Sequence, residues 1–138
     1  MAEKFKGGCA CGEVRYEIKA DPLMQVHCQC RDCQRASGTG HGSFMAFPAD
    51  TAKFKGKYTT WKKKSDRGNT VSRTFCKDCG SPLYAANKAA PQFVFIHVAS
   101  LDEPSRFTPQ AVMFTSSACD WDLVDSELPK FEKMPPGI

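Results

Sequence analysis

Short apolar stretches separated by turn residues run along the whole chain. In "EVRYEIKA", Val14, Tyr16 and Ile18 alternate with charged residues, which is the pattern of a half-buried strand. Further strands are predicted in "LMQVHCQC", "GSFMAFPA", "AKFKGKYTTW", "TVSRTF" and "TPQAVMFTSS", and "QFVFIHVASL" is expected to be the central one. Only "RDCQRASG" is expected to form a short helical turn. The pattern predicts a mainly β fold of packed sheets, in a single domain covering residues 1–138.

Several residues have predicted positions within this pattern. Phe54, Tyr58 and Trp61 are expected in the core, and His97 is interpreted as a hydrogen-bonded core histidine. The stretch "CKDCGSPLYAA" is typical of a hairpin tip followed by its return strand, and the proline-rich "SELPKFEKMPPGI" is expected to run over the surface.

Composition and charge narrow the possible partners. The chain has 138 residues and a formal charge of +4, and it carries neither a signal peptide nor an apolar run long enough to span a membrane. A cytoplasmic location without a membrane partner is therefore expected. The basic balance is not interpreted as indicating nucleic-acid binding, because seven clustered cysteines would, as thiolates holding two divalent ions, reduce the charge to about +1. The run Lys62–Lys64 is interpreted as a solvated loop, with an anion-steering patch as the alternative.

Eight cysteines are the strongest chemical signal in the chain. In a reducing compartment, clustered cysteines are more often metal ligands or redox thiols than disulfides. Seven of them fall into three groups, and Cys119 stands alone; the groups are Cys9/Cys11, Cys28/Cys30/Cys33 and Cys76/Cys79.

The first and last groups are predicted to form one structural zinc site. Cys76 and Cys79 lie two residues apart before Gly80, which can take the positive φ that such a turn often needs. Cys9 and Cys11, on a glycine-bounded turn, can supply the other two ligands of a closed tetrahedron. The alternative is four unpaired buried thiols.

The middle group offers three sulfurs, which is the ligand number of a zinc site with an open position. Extended geometry sends Cys28 and Cys30 to one side, a turn brings Cys33 to join them, and His27 points to the opposite face. A zinc ion with three thiolates is a weak Lewis acid but suits a thiol substrate held as a thiolate, with an aldehyde as the electrophile. The alternative is a second structural zinc, closed by Cys119 or by a histidine.

The segments "GGCACGEVRYE", "VHCQCRDCQRASG", "FCKDCGSPLY" and "ASLDEP", in this order, resemble the glutathione-dependent formaldehyde-activating enzyme family, which includes centromere protein V. The resemblance runs from Gly7 to Phe131. It implies a β-tent fold of antiparallel sheets with two zinc ions. It also implies that the metal ligands divide into a structural set (Cys9, Cys11, Cys76, Cys79) and a catalytic set (Cys28, Cys30, Cys33).

The activity implied by the resemblance is that of a carbon–sulfur lyase, which condenses glutathione with formaldehyde to S-hydroxymethylglutathione or cleaves that adduct. Glutathione has two carboxylates, and arginine suits them because its planar fork binds a carboxylate at two points. The candidate arginines are Arg31, Arg35, Arg67 and Arg73. His41 is a candidate to protonate the developing alkoxide. The alternatives are an exposed histidine without a role and, for each arginine, an ordinary surface salt bridge.

Two other function classes stay open from the sequence. A non-catalytic zinc-stapled binding module would need an exposed basic or apolar surface, for which Lys62–Lys64 is the support. A thiol redox sensor would use the cysteine trio reversibly. Trp121 is interpreted as a packing residue or a pocket wall, and Cys119 as a partly buried small apolar residue. The sequence does not predict the oligomeric state.

Overall fold

The computed structural model describes residues 4–135. Its strands are β1 (Lys4–Gly8), β2 (Arg15–Lys19), β3 (Met24–Cys28), β4 (Gly42–Pro48), β5 (Ala52–Lys55), β6 (Tyr58–Lys64), β7 (Thr70–Cys76), β8 (Pro82–Asn87), β9 (Phe93–His97) and β10 (Ala111–Met113). The helices are α1 (Arg31–Ser37) and four 3-10 turns, at Ala49–Thr51, Val98–Ser100, Pro104–Arg106 and Thr115–Ser117. Within the described part of the chain, no helix is both long enough and apolar enough to cross a bilayer.

The strands form two sheets, which confirms the mainly β prediction. The small sheet has the order β1-β2-β5, and the large sheet has the order β10-β3-β4-β9-β8-β7-β6. Neighbouring strands are antiparallel, except that β10 pairs with β3 in parallel. Strand β9 occupies the middle of the large sheet, as its apolar sequence predicts.

One face of the large sheet packs against the small sheet and forms the inner core. Tyr16 and Ile18 of β2 are 2% and 0% exposed, which confirms the alternation predicted for that strand. They belong to the same buried cluster as Met45 and Phe47 of β4. Burying each such side chain contributes about 1.5–3 kcal/mol, so this layer is the main source of stability.

The opposite face of the large sheet carries a second buried cluster, the outer cluster. It consists of Val26, Cys28, Cys33, Phe44, Ala111 and Met113. Because side chains alternate along a strand, Val26 and Cys28 of β3 lie on this face while His27 points to the other. Two cysteines of the middle group are therefore part of the outer cluster.

The predicted strand "AKFKGKYTTW" is in fact two strands in different sheets. The chain breaks at Gly56, whose φ is +112°, a value that side-chain-bearing residues rarely adopt. Phe54 packs against the inner core as predicted. The core positions expected for Tyr58 and Trp61 are wrong, since these side chains are 42% and 56% exposed. The exposed edge strand β6 carries them instead.

Other differences concern the ends of the chain and the lysine run. Strand β1 has no clear sequence signal, because Lys4–Gly8 contains only one large apolar residue. Lys62–Lys64 lies on strand β6 rather than in a loop. The C-terminal segment is not simply a surface tail: the Phe131 amide donates to the Val112 carbonyl at 2.9 Å, and the Phe131 side chain packs against the outer cluster. The last three residues of that segment lie outside the described part of the chain.

Candidate metal centres

The fold brings the three cysteine groups together as two compact sulfur clusters. Cys9, Cys11, Cys76 and Cys79 form a four-sulfur centre, and Cys28, Cys30 and Cys33 form a three-sulfur centre; within each, all sulfur atoms lie within 4.8 Å of one another. The proximities predicted from the spacing are therefore present. The two centres belong to different faces of the large sheet, since Cys76 is in the inner core and Cys28 is in the outer cluster.

The four-sulfur centre is built on two turns of similar construction. In the turn between β1 and β2, the Gly12 amide donates to the Cys9 carbonyl at 3.2 Å, and in the turn between β7 and β8 the Gly80 amide donates to the Cys76 carbonyl at 3.0 Å. Gly12 and Gly80 have φ values of +82° and +76°. Each glycine closes its turn in a left-handed conformation, so that both sulfurs of the turn face one point.

The donor set and spacing of this centre fit zinc. The Cys11 sulfur lies 3.6 Å from that of Cys9 and 3.8 Å from that of Cys76. In a tetrahedral site with zinc–sulfur bonds of about 2.3 Å, sulfurs are about 3.8 Å apart. Backbone amides also donate to the sulfurs, from Val14 to Cys9 at 3.2 Å and from Cys79 to Cys76 at 3.5 Å. Such bonds stabilise thiolates and orient them as ligands.

This centre lies at the rim of the inner core. Cys9 and Cys76 are buried, whereas Cys11 and Cys79 are exposed. A side-chain hydrogen bond with Ser81 lowers the pKa of Cys79 to about 5. One half of the cluster is thus anchored in the core, and the other half is accessible to a metal ion or a chelator.

The three-sulfur centre is assembled where β3 ends and α1 begins. Cys28 is the last residue of β3, and Cys30 caps α1 by accepting a hydrogen bond from the Cys33 amide at 3.2 Å. Cys33 lies in the first turn of the helix, which ends at Gly38 in a left-handed conformation. The first turn of this short helix therefore places the sulfur of Cys33 beside those of Cys28 and Cys30.

The three sulfurs are crowded enough to need a cation. Hydrogen bonding with Cys30 and Cys33 raises the pKa of Cys28, and the same kind of contact with Cys28 and Cys33 lowers the pKa of Cys30. One thiolate is therefore easily formed, but ionising the others requires a positive charge nearby. Cys28 and Cys33 are 2% and 4% exposed, while Cys30 is only half buried. Within residues 4–135, no histidine, aspartate, glutamate or further cysteine joins this cluster.

A half-buried arginine borders the three-sulfur centre. Arg73 of β7 donates from Nη2 to the Cys33 sulfur at 3.6 Å. Burial opposes the charge of Arg73, but the three neighbouring cysteines, Cys33 above all, together outweigh this effect, and the pKa of Arg73 lies above its ordinary value. Burial lowers the pKa of His97 to about 4, and the charge of Arg73 acts in the same direction. His97 is buried as predicted, and its ring lies 4.5 Å from the Phe44 ring, but its side chain has no hydrogen bond among the described residues, so that part of the prediction is not confirmed.

The two other histidines lie together on the opposite side of β3. His27 shares a hydrogen bond of 2.8 Å with Ser43, and its ring is 4.5 Å from that of His41. Burial lowers the pKa of His27 to about 4. His41 is bonded through Nδ1 to Asp122 at 2.8 Å. The orientation predicted for His27 is correct, and the recorded contacts of His41 are with this group rather than with the three sulfurs.

A polar network behind the three-sulfur centre was not predicted. The Asp122 side chain is only 7% exposed and accepts a hydrogen bond from Gln29 Nε2 at 3.0 Å. Gln34 in turn donates from Nε2 to the Gln29 carbonyl at 2.9 Å. Gln29 separates Cys28 from Cys30, so this network fixes the backbone between two of the sulfurs. Asp122 is far away in sequence, and no local pattern around it indicates this role.

The remaining candidate residues have exposed positions. Arg31 and Arg35 project from α1, where Arg31 donates to the Gln34 side chain and Arg35 is 3.9 Å from Asp32. Asp32 also accepts a hydrogen bond from Lys63 at 2.8 Å, which ties α1 to β6. Arg67 is exposed in the turn between β6 and β7.

Cys119 and Trp121 do not join either centre. Cys119 is half buried, as predicted, and its thiol is 3.6 Å from the Gln34 side-chain oxygen. Trp121 is 66% exposed, which contradicts its interpretation as a packing residue; the alternative, a pocket wall, stays a prediction.

Comparisons with known proteins show a family and a likeness in fold. Residues 4–117 match the family described as "Glutathione-dependent formaldehyde-activating enzyme". Among solved structures, a Rhodobacter sphaeroides protein is similar over 91% of this chain and 98% of its own, with a TM-score of 0.58 and 20% identity. At that identity the likeness concerns the fold alone. A search of curated proteins found no match.

Proposed function

Because the chain belongs to the glutathione-dependent formaldehyde-activating enzyme family, we propose that it is a zinc-dependent carbon–sulfur lyase. Its reaction would join glutathione and formaldehyde to S-hydroxymethylglutathione, or cleave that adduct, or use a related thiol and aldehyde. The four-sulfur centre would hold a structural zinc and the three-sulfur centre a catalytic one. The single domain would cover residues 1–138.

The observation that carries the proposal is the difference between the two centres. One brings four sulfurs together and fills a tetrahedron, whereas the other brings three. Cys30 is the half-buried member of the trio, so the cluster reaches the protein surface on that side. A site with three protein ligands and an accessible edge can take a ligand from solution, which a structural site does not need.

The chemistry follows from the donor set. Zinc in the three-sulfur centre would supply a soft Lewis acid able to hold a thiol substrate as its thiolate. In the condensation, a carbon–sulfur bond forms to the aldehyde carbon, the carbonyl π bond breaks, and the proton lost by the thiol ends on the former carbonyl oxygen. Cys28, Cys30 and Cys33 would hold the ion, and α1 would keep the third sulfur in place.

The proposal also includes contacts with the substrate. Arg31 and Arg35 project from the helix that carries Cys33, so either could bind a glutathione carboxylate by its planar fork. The sequence offers His41 as a candidate proton donor, but its Nδ1 is bonded to Asp122 and its ring contacts His27. We therefore do not extend that role to His41.

Zinc content and glutathione binding of Cys30→Ser test the proposal directly. The wild-type protein should bind about two zinc ions per chain, and the variant about one, with its far-UV circular dichroism unchanged. Calorimetric titration with glutathione should show binding to the wild type and none to the variant. In solutions of ¹³C-formaldehyde and glutathione, NMR exchange spectroscopy should show adduct exchange accelerated by the wild type alone.

Cys119→Ser is the matched control, because it also removes one thiol but from outside both centres. It should keep the zinc content, the glutathione affinity and the exchange rate of the wild type. A wild-type protein that binds one zinc ion and ignores glutathione contradicts the proposal. Two zinc ions without glutathione binding, and an unfolded Cys30→Ser, would instead identify a zinc-stapled binding module.

A further inference from the structure

Arg73 is a half-buried cation without a carboxylate partner among the described residues. The ion pairs of residues 4–135 involve other side chains. The Nη2 atom of Arg73 donates to the Cys33 sulfur, while Nη1 is sealed from solvent and has no hydrogen-bond partner. A buried charge is costly unless an opposite charge compensates it, so the surroundings of Arg73 need an anion.

The three-sulfur centre is the group that can provide this negative charge. Cys33 contacts the guanidinium directly, and it lies within 4.8 Å of the other two sulfurs. His97 cannot provide it, because burial and the charge of Arg73 both lower the pKa of His97 and keep its ring neutral. Arg73 is therefore the cation that faces the sulfurs from the β7 side.

Charge balance gives this contact a function. Three thiolates around a divalent ion leave a net charge of about −1, which opposes the approach of a further thiolate. One guanidinium returns the total to about zero and, by donating to a sulfur, draws electron density away from it. A neutral centre can accept an anionic thiol substrate more easily than a negative one.

We propose that Arg73 is the positioning residue of the three-sulfur centre: it fixes the Cys33 sulfur and supplies the permanent counter-charge for the metal-bound trio. This inference rests on the proposed function, in which the trio holds zinc. It differs from the role expected for Arg73 from the sequence, a contact with a substrate carboxylate, because Nη2 is directed to Cys33 and Nη1 is sealed from solvent.

Two substitutions separate the charge from the hydrogen bond. Arg73→Met keeps similar volume but removes the charge, and Arg73→Lys keeps the charge without the planar fork. Zinc affinity is measured by competition with a chromophoric chelator. The site that is present in the wild type and absent in Cys30→Ser is assigned to the trio. Groups next to metal ligands typically change metal affinity 10- to 100-fold when mutated.

We expect Arg73→Met to weaken zinc binding at the trio about 10- to 100-fold and to leave the four-sulfur centre at wild-type affinity. Arg73→Lys should recover most of the loss. With Co²⁺ in the trio, the sulfur-to-metal charge-transfer band should shift in both variants, because both lose the fork that donates to Cys33. The control is Arg15→Met, which removes an exposed guanidinium of the small sheet that is paired with Asp102. It should match the wild type in every measurement.

The outcomes distinguish this inference from the proposed function. If the wild-type trio takes up zinc but Arg73→Met binds it equally well with an unchanged Co²⁺ spectrum, the inference is wrong and the proposed function stands. If the wild-type trio takes up no zinc, the proposed function itself fails. If Arg73→Met does not fold, Arg73→Lys decides: trio affinity close to wild type supports the counter-charge, and a 100-fold loss overturns it.

Discussion

Replacing Cys76 by serine should separate the structural contribution of the four-sulfur centre from ordinary packing. Cys76 is fully buried, accepts hydrogen bonds from the Asp78 and Cys79 amides at 3.4 and 3.5 Å, and lies 3.8 Å from the Cys11 sulfur. The two halves of the centre are 65 residues apart in sequence and come from different sheets. A metal bound there therefore links the small sheet to the edge of the large one.

The two possible causes of destabilisation differ greatly in size. If Cys76 only packs in the core, a serine there costs about 1–3 kcal/mol, for a poorly satisfied buried hydroxyl. For a domain of this length that lowers Tm by no more than about 15 °C. If Cys76 holds structural zinc, the loss is a large part of about 10–16 kcal/mol, which equals or exceeds the whole stability of a typical domain.

Calorimetric melting of the wild type, Cys76→Ser and Cys119→Ser, each with added zinc and with a chelator, measures the difference. We expect the chelated wild type and Cys76→Ser to lose their cooperative transition, and Cys119→Ser with zinc to melt like the wild type. The reasoning is refuted if Cys76→Ser retains the zinc content of the wild type and melts only a few degrees lower. A cooperative transition that chelation leaves unchanged would refute it equally.

Two further predictions concern the backbone and the pH dependence of stability. Gly56→Ala should be strongly destabilising, because a Cβ there would lie 2.0 Å from the Glu13 carbonyl oxygen. Gly68→Ala, also at positive φ but in open space, should cost about 1 kcal/mol. Urea denaturation of both variants measures the two losses of stability, and equal losses would contradict the steric argument. Burial lowers the pKa of His97 to about 4 from an unfolded value near 6.5, so the unfolded state binds more protons and stability should fall as the pH drops from 6.5 to 4. Over that pH range the free energy of unfolding of His97→Gln should fall by up to about 3 kcal/mol less than that of the wild type. If the two pH profiles of stability are parallel, His97 is not the group responsible.

The centres and the strands differ in how far the sequence could predict them. Ligand spacing is local, so "CKDCG" and "HCQCRDC" indicate their sulfur clusters without knowledge of the fold. The alternation around Tyr16 likewise predicts which face is buried. Arg73 and Asp122 could not be assigned in this way, because their roles depend on which strand or loop the topology places beside α1.

The errors on the strands have a related cause. Trp61 and Tyr58 are large and aromatic, which favours a buried position, but β6 is the last strand of the large sheet and both side chains stay exposed. Strand order is a property of the whole topology and is not encoded in the local sequence. Gly56 marks the change of sheet, although a glycine within an apolar run is equally compatible with a bulge.

Strand β7 connects the two centres and makes their coupling unequal. Side-chain alternation places Arg73 on the outer face, beside Cys33, and Cys76 on the inner face, in the four-sulfur centre. Metal loss from the four-sulfur centre frees the end of β7 and thereby the strand that positions Arg73, so it should also weaken the trio. Loss of metal from the trio leaves the hairpin of Cys76 and Cys79 intact. We therefore expect the three-sulfur centre to depend on an intact four-sulfur centre, and not the reverse.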